Sequence, residues 1–279
     1  MRKRRILVLL LCATAGLSLA QFRRDQNSDR SDVPQWELNK EFSKDVFTFV
    51  RIKYSSGGRI GGYYSGDWRW RIDSPDSDLN LSYRLQQITS LKVNPDFRVL
   101  ELTDKELFDY PFIYIVEPGD LLLSEDEVKA LRRYLLSGGF LMVDDFWGEV
   151  QYANFYREIK RVLPEREPVE LPMDHHVFNC VFPLNKMEKN QLQVPNVNTG
   201  TMSQRTHVTW EYHEGEACRD VHIKGIFDDK GRMMVVICHN TDLGDGWEWE
   251  GNNQYYFREF SEKIAYPLGI NIIFYAMTH

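Results

Sequence analysis

Two adjacent carboxylates, Asp144 and Asp145, directly follow the apolar segment Phe140-Leu-Met-Val143. A short apolar run that starts after two glycines and ends in acids is typical of a buried strand. Ligands of open parallel sheets bind beyond the carboxyl ends of the strands. The two acids are therefore candidates to bind a cation or to act as a general base. In the alternative interpretation, one of them caps the next helix and the other is solvated.

Histidines provide the next candidates. His175 stands between Asp174 and His176 in a loop after Leu171-Pro172, and a histidine beside a carboxylate can act as a base or as a ligand. Structural hydrogen bonding is the alternative. His239 follows Cys238 at the end of an apolar segment, where a core histidine is the simpler interpretation.

A hydrolytic metal site would need Asp144, Asp145, His175 and His239 to converge from distant segments. No HExxH or similar close spacing is present in the sequence. The sequence also contains no GxSxG elbow, papain-like cysteine motif, kinase signature or dinucleotide fingerprint. We therefore predict neither a metal nor a cofactor.

Loop residues could frame a ligand above the acids. The stretch from Ser55 to Gly62 is rich in glycine but matches neither phosphate-loop pattern, so a flexible loop or lid is favoured. Trp147 follows the acidic pair, and Trp247 lies between glycines and glutamates. Such tryptophans could stack against a sugar or a peptide. Alternatively, they attach long loops to the body of the domain.

Strands and helices alternate along the chain. Strands are predicted at 46–52, 97–102, 112–116 and 139–143, and a hairpin at 222–238. Four helices are predicted. The first is capped by Asp76 or Ser77 and has Leu81, Leu85 and Ile88 on one face, and the second begins with a capping box of Ser124 and Glu127. The third extends from near Gly148 to Pro164, and the fourth, from Glu259 to Met277, is kinked or split by Pro267 and Gly269. Residues 183–220 show no periodicity and predict an irregular excursion. This alternation predicts an α/β fold with a mostly parallel sheet covered on both faces.

Parallel strands end on one edge of their sheet, so the residues that follow them converge there. Tyr54, Glu117 and Asp144 each follow a predicted strand. We expect these residues and Asp145 to meet at that edge, with one aspartate capping the helix near Gly148. Clustered acids repel one another, which predicts a raised carboxyl pKa.

The N-terminus has the pattern of an export signal. Arg2 to Arg5 are basic, residues 6–19 are apolar, and small residues precede a predicted cleavage site after Ala20. An uncleaved anchor is the alternative, although the apolar stretch is short for a membrane span. A polar linker follows at 21–45, and residues 46–279 form one predicted domain. The predicted location is therefore the periplasm or the outside of the cell.

Composition excludes several classes of protein. Removal of residues 1–20 would take away four basic residues and no acid, which changes the formal net charge from −7 to −11. A charge of this sign disfavours nucleic-acid binding. Three cysteines would remain, without CxxC spacing, and Cys180–Cys218 is the predicted pair if a disulfide forms.

The chain resembles the DUF4159 family, a domain of unknown function, over roughly residues 46–278. The resemblance is carried by short motifs: Phe49-Val-Arg-Ile-Lys-Tyr54, Trp68, Asp73-Ser-Pro75, Leu79-Asn80, Tyr110-Pro-Phe112, Leu123-Ser124, Gly138-Gly139, Asp144-Asp145, Asp174-His175, Asp242-Leu243, Trp247-Glu248, Leu268-Gly-Ile-Asn271 and Tyr275-Ala276. The family is similar to the class I glutamine amidotransferase-like superfamily and its ThuA-like relatives. This implies a flavodoxin-like three-layer sandwich and places His175 at the same sheet edge as the acids.

The superfamily's nucleophilic cysteine has no counterpart here, because Asp144-Asp145 stands where the strand meets the following turn. We therefore favour a non-catalytic domain of the cell envelope that binds a sugar, a peptide or another envelope protein. Its predicted ligand-binding residues are Tyr54, Glu117, Asp144, Asp145, Trp147, His175 and Trp247. The alternative is a hydrolase or carbohydrate-modifying enzyme that uses Asp144 or Asp145 with His175.

Overall fold

The computed structural model describes residues 33–38, 45–57 and 68–279. The predicted signal peptide, most of the linker and residues 58–62 of the glycine-rich loop lie outside these ranges. All elements below belong to one compact unit, Gln35–His279; of the other unit, Met1–Pro34, only residues 33 and 34 are described. No helix in the described ranges is both long and apolar enough to cross a membrane.

A seven-stranded sheet is the centre of the fold. The strands of the described residues, two of which lie outside this sheet, are β1 (Val50–Lys53), β2 (Ser55–Ser56), β3 (Arg98–Glu101), β4 (Phe112–Val116), β5 (Leu121–Leu122), β6 (Phe140–Asp144), β7 (Val169–Glu170), β8 (His222–Phe227) and β9 (Met233–His239). The sheet has the order β3-β1-β4-β6-β9-β8-β7, while β2 and β5 pair separately. The first five strands of this order are mutually parallel. β8 pairs antiparallel with β9, and β7 pairs antiparallel with β8.

Helices cover both faces of the sheet. They are α1 (Asp76–Ile88), α2 (Glu125–Leu136), α3 (Gly148–Val162), α4 (Val197–Thr206), α5 (Leu243–Glu248), α6 (Gln254–Tyr256) and α7 (Tyr266–Thr278). A π-helical segment, Phe257–Ala265, joins α6 to α7.

The side chains of each central strand alternate between two cores. In β4, Phe112 and Tyr114 pack with α1 and α7, whereas Ile113 and Ile115 pack with α2 and α3. Alternation of this kind follows from the two-residue period of a strand. The result is a mixed α/β fold of three layers, as predicted.

Most predicted elements are confirmed. The four predicted parallel strands are parallel neighbours in one sheet, and the hairpin lies near one edge. The capping box of Ser124 and Glu127 is present. The helix interrupted at Pro267 changes there from π-helical to α-helical hydrogen bonding, because proline cannot donate a backbone hydrogen bond.

Three local predictions are wrong. Pro75, not Asp76 or Ser77, occupies the cap position of α1, and Ile88 of that helix is 47% exposed. Neither Asp144 nor Asp145 caps α3, whose cap residue is Trp147.

The predicted Cys180–Cys218 disulfide is also absent, since both cysteines are free thiols. Cys180 Sγ instead donates a hydrogen bond to the carbonyl of Asn271. The excursion at 183–220 contains one regular helix that its polar sequence concealed. This helix, α4, begins where the side chain of Asn196 accepts a hydrogen bond from the backbone of Thr199.

Candidate functional site

A polar cleft of about 340 Å³ lies at the carboxyl edge of the sheet. Its lining residues are Arg69, Ile72, Asp73, Glu117, Asp145, Trp147, Gln151, Asn196, Glu211, Glu214, Asp242 and Asp245. Asp73 lies in the segment between β2 and α1, and Glu117, Asp145 and Asp242 follow β4, β6 and β9. Glu117, Asp145 and Asp242 converge because β4, β6 and β9 are parallel and end on one edge of the sheet.

Three carboxylates in this cleft are close enough to share one ion. One oxygen from each of Asp73, Asp145 and Asp242 lies within 4.8 Å of the other two. Asp73 and Asp242 are buried, while Asp145 is partly exposed. Hard cations such as Ca²⁺ and Mg²⁺ prefer such oxygen ligands.

A buried arginine holds the loop that carries Asp73. Arg51 in β1 is completely buried and forms an ion pair with Asp78. Its guanidinium also donates to the carbonyls of Trp70 and Ile72, at 3.0 and 2.9 Å. Arg51 therefore fixes the backbone just before Asp73, which itself adopts a left-handed conformation with φ 63°.

Gly244 brings two carboxylates together. Its backbone nitrogen donates to Asp144 Oδ2 at 3.0 Å, and Tyr114 donates to the same oxygen at 3.2 Å. A Cβ at position 244 would lie only 2.2 Å from Asp73 Oδ2. This Asp73 oxygen is buried and has no hydrogen-bond partner among the described residues. Asp144 thus anchors α5 below the cleft, and Asp73 lies against the same glycine.

Helix α5 supplies three acids at regular spacing. Asp242 is its cap residue and accepts a hydrogen bond from the backbone of Asp245. Glu248 follows after three more residues, so the three acids recur at the i, i+3 spacing that places side chains on one helix face. Asp245 Oδ2 also accepts a hydrogen bond from the backbone of Val197.

Burial and mutual repulsion raise the pKa values of the acids in this cluster. Burial, followed by the charges of Asp245 and Asp145, raises the pKa of Asp73 well above its usual range. Burial also raises the pKa of Asp145 and Asp242, with repulsion from neighbouring carboxylates as the next cause. Burial raises the pKa of Asp144 to about 7. The acids therefore hold their protons more tightly than exposed carboxyl groups do.

Arg69 occupies the rim of the cleft and is already paired. It forms ion pairs with Glu117 and with Asp120. Despite Arg69, burial raises the pKa of Glu117 to about 7. Glu117 also has a left-handed backbone, with φ 49°. Arg69 therefore neutralises one side of the rim and not the acids at the floor of the cleft.

The structure brings most of the predicted site residues to this edge. Glu117, Asp145 and Trp147 line the cleft. Trp147 donates its indole hydrogen to Asp145 Oδ1 at 3.0 Å. Tyr54 is buried nearby and donates to the carbonyls of Val116 and Glu117, so its role is to hold the backbone after β4.

Trp247 and His175 do not lie at the cleft. Trp247 is completely buried and packs against Tyr114, so it is a core residue that cannot stack against a ligand. His175 packs against Tyr275 and Phe227. Tyr275 also contacts Phe140, the first residue of β6. His175 therefore lies at the amino ends of the strands, and its expected proximity to the acids is wrong.

His239 belongs to the protein interior. It packs between Phe146 and Tyr152, with ring centroids 4.9 Å from each, and its Nε2 lies 3.1 Å from the carbonyl of Gly148. Burial lowers its pKa to about 3. His239 is therefore a neutral core histidine.

The sequence interpretation missed four acids of the cluster: Asp73, Asp242, Asp245 and Glu248. Residues 242–248 contain two glycines, a composition typical of a loop, which concealed the helical spacing of their acids. The spacing Asp-x-x-Asp-x-x-Glu was the available signal. Asp73 carried no comparable signal, since only the folding of the segment between β2 and α1 brings it to the cleft.

Fold and site together define an α/β protein with an acidic cleft at the carboxyl edge of a mostly parallel sheet. The chain belongs to the DUF4159 family, a domain of unknown function, whose model matches residues 48–277. No curated protein matches the chain significantly.

Proposed function

We propose that the protein is a ligand-binding domain whose cleft binds a divalent cation through Asp73, Asp145 and Asp242. One observation carries this proposal: three carboxylate oxygens lie within 4.8 Å of one another. It is supported by a buried oxygen of Asp73 to which no described residue donates a hydrogen bond. Buried carboxylates are stable in the charged state only when a cation or hydrogen-bond donors compensate them.

The spacing of the oxygens suits a calcium ion. Ca²⁺ binds oxygen at about 2.3–2.6 Å and tolerates irregular geometry. Two ligands on opposite sides of the ion are therefore separated by about twice that distance, so an ion of this size can contact all three acids. No lysine or arginine forms an ion pair with these acids in the described part of the chain.

A catalytic role that combines an aspartate with His175 has no geometric support, because His175 lies at the opposite edge of the sheet. The turn after β6 carries Asp145, with φ 58°, where a cysteine nucleophile would be required. These two facts favour a ligand-binding domain over an enzyme with the cysteine chemistry of the amidotransferases. They also favour it over the alternative of a hydrolase that uses His175.

We also propose that the protein is related to the glutamine amidotransferase-like superfamily and has its flavodoxin-like fold. In chain order, the five parallel strands are arranged as 2-1-3-4-5, which is the order of flavodoxin-like folds. The order reverses between β1 and β4, where ligands of such folds bind. Glu117 follows β4, and Asp73 lies in the connection from β1 to α1.

We propose that the protein functions outside the cytoplasm, because residues 1–20 have the pattern of an export signal. A sugar or peptide would then reach the cleft through the bound ion and the polar side chains of Gln151 and Asn196, and not by stacking on Trp247. An envelope protein that presents a carboxylate or hydroxyl group is the alternative partner.

Isothermal titration of the purified protein with Ca²⁺, Mg²⁺ and Mn²⁺ tests the proposed site. We expect Ca²⁺ to bind, and Asp145→Asn to weaken its binding at least tenfold because one charged ligand is lost. Asp109→Asn is the matched control, since Asp109 is exposed and lies outside the cleft. The proposal is wrong if no cation binds, or if both variants bind like the wild type.

A further inference from the structure

A second group of acids lies beside the proposed cation site. One oxygen from each of Asp73, Asp245 and Glu248 lies within 4.8 Å of the other two. Asp73 and Asp245 are buried, and Glu248 is partly exposed. Asp73 therefore belongs to both groups.

Asp73 is placed to serve both groups because Gly244 lies beneath it. The residue is only 8% exposed, and its Oδ2 has no hydrogen-bond partner within the described ranges. A carboxylate has two oxygens with two lone pairs each, so it can bridge two ions. The absence of a side chain at position 244 leaves the space in which this carboxylate lies.

The charge of the combined cluster exceeds what one ion can compensate. The two groups contain five carboxylates: Asp73, Asp145, Asp242, Asp245 and Glu248. Two arginines near these acids are already paired: Arg51 with Asp78, and Arg69 of the same cleft with Glu117 and Asp120. When all five carboxylates are ionised, one divalent ion leaves three negative charges uncompensated, whereas two divalent ions leave one.

We infer that the cleft binds a pair of divalent cations, with Asp73 as the bridging ligand, Asp145 and Asp242 on one ion and Asp245 and Glu248 on the other. This inference rests on the proposed cation site and extends it to a second ion. Two ions that share ligands lie about 3.5–4 Å apart in proteins. Two Mn²⁺ ions at this separation are magnetically coupled.

Mn²⁺ binding to the full chain tests the inference, with equilibrium dialysis to count ions and electron paramagnetic resonance to detect coupling. We expect two Mn²⁺ ions per chain and a coupled spectrum in the wild type. Glu248→Gln should bind one ion with an uncoupled six-line spectrum, and Asp145→Asn should also bind one. Asp73→Asn should lose both ions. Glu262→Gln, an exposed position on the π-helical segment, should behave like the wild type.

The outcomes separate this inference from the proposed function. One uncoupled ion in the wild type, lost in Asp145→Asn but retained in Glu248→Gln, would overturn the second ion and leave the first site intact. Two ions that persist uncoupled in Glu248→Gln would also overturn it. No bound ion in the wild type would overturn the proposed function itself. Because the wild-type spectrum alone tests the coupling, the inference stays testable if a variant fails to fold.

Discussion

A Cβ atom at position 244 would lie 2.2 Å from Oδ2 of Asp73. The backbone nitrogen of the same glycine donates to Asp144. Two carboxylates from different segments therefore approach Gly244: Asp73 from the segment before α1, and Asp144 from the end of β6. A side chain at this position would displace Asp73 from the cleft.

Gly244→Ala should reduce cation affinity at least tenfold, because the new methyl group and the Asp73 carboxylate cannot occupy the same space. Overpacking should also cost about 1–3 kcal/mol of unfolding free energy. Gly225→Ala is the control, since its Cβ would crowd Phe227 and Met233 in the hairpin, away from the cleft. Calcium titration and urea unfolding should show lost stability in both variants but lost affinity only in Gly244→Ala. Equal affinities would contradict the assigned role of Asp73.

Arg51→Met should destabilise the fold by about 3–5 kcal/mol, because Asp78 would remain buried without its partner. Addition of Asp78→Asn should restore part of this loss. Lys53→Met on the same strand is the comparison, because Lys53 pairs with Glu101 at the surface and such pairs contribute about 0–1 kcal/mol. Urea unfolding of the three variants gives the measurement. If Arg51→Met lowers the unfolding free energy no more than Lys53→Met does, the buried pair contributes little to stability.

Calcium affinity should rise as the pH increases from 6 to 8. The ion competes with protons for its carboxylate ligands. Burial raises the pKa of Asp73, Asp145 and Asp242, and it raises the pKa of Glu248 to about 7. A carboxylate must lose its proton to bind the ion. At pH values below the pKa of a ligand, the displacement of that proton therefore lowers the affinity for calcium. Titrations at constant ionic strength measure the slope. An affinity independent of pH over this range would show that the acids are already ionised in the free protein.

His239 should make the protein less stable in acid. Its pKa is about 3 in the folded state and about 6.5 when unfolded. The unfolded state therefore binds the additional proton, so stability is complete above pH 6.5 and decreases as the pH falls towards 3. The slope is at most about 1.4 kcal/mol per pH unit. His239→Phe should remove this component, which is measured as the difference between the two stability curves from pH 4 to 7. Parallel curves would contradict the assignment.

His175→Asn should leave calcium affinity within about twofold of the wild type, because the ring packs against Tyr275 at the opposite edge of the sheet. The same variant distinguishes the hydrolase hypothesis, which requires His175 beside the acids. A tenfold loss of affinity with an unchanged melting temperature would place His175 at the cleft after all.

The pattern of strands and helices was sufficient to predict the sheet and one side of the site. Alternating strands and helices predicted parallel strands, and parallel strands must end on one edge, so the strand pattern alone was enough to place Glu117 and Asp145 there. The capping box at Ser124 and the apolar face of α2 were equally local signals, because each depends only on residues within a few turns.

Which other acids join Glu117 and Asp145 depends on contacts between segments that are distant in sequence. Asp73 reaches the cleft through a turn fixed by the contacts of Arg51, and α5 forms around glycines whose lack of a side chain permits close packing against Asp73 and Ala265. Its helical acids were concealed because glycine disfavours isolated helices. The predicted positions of His175 and Trp247 at the cleft were wrong for the same reason. Packing between segments that are distant in sequence decides whether a side chain lies at one sheet edge, at the other or in the core.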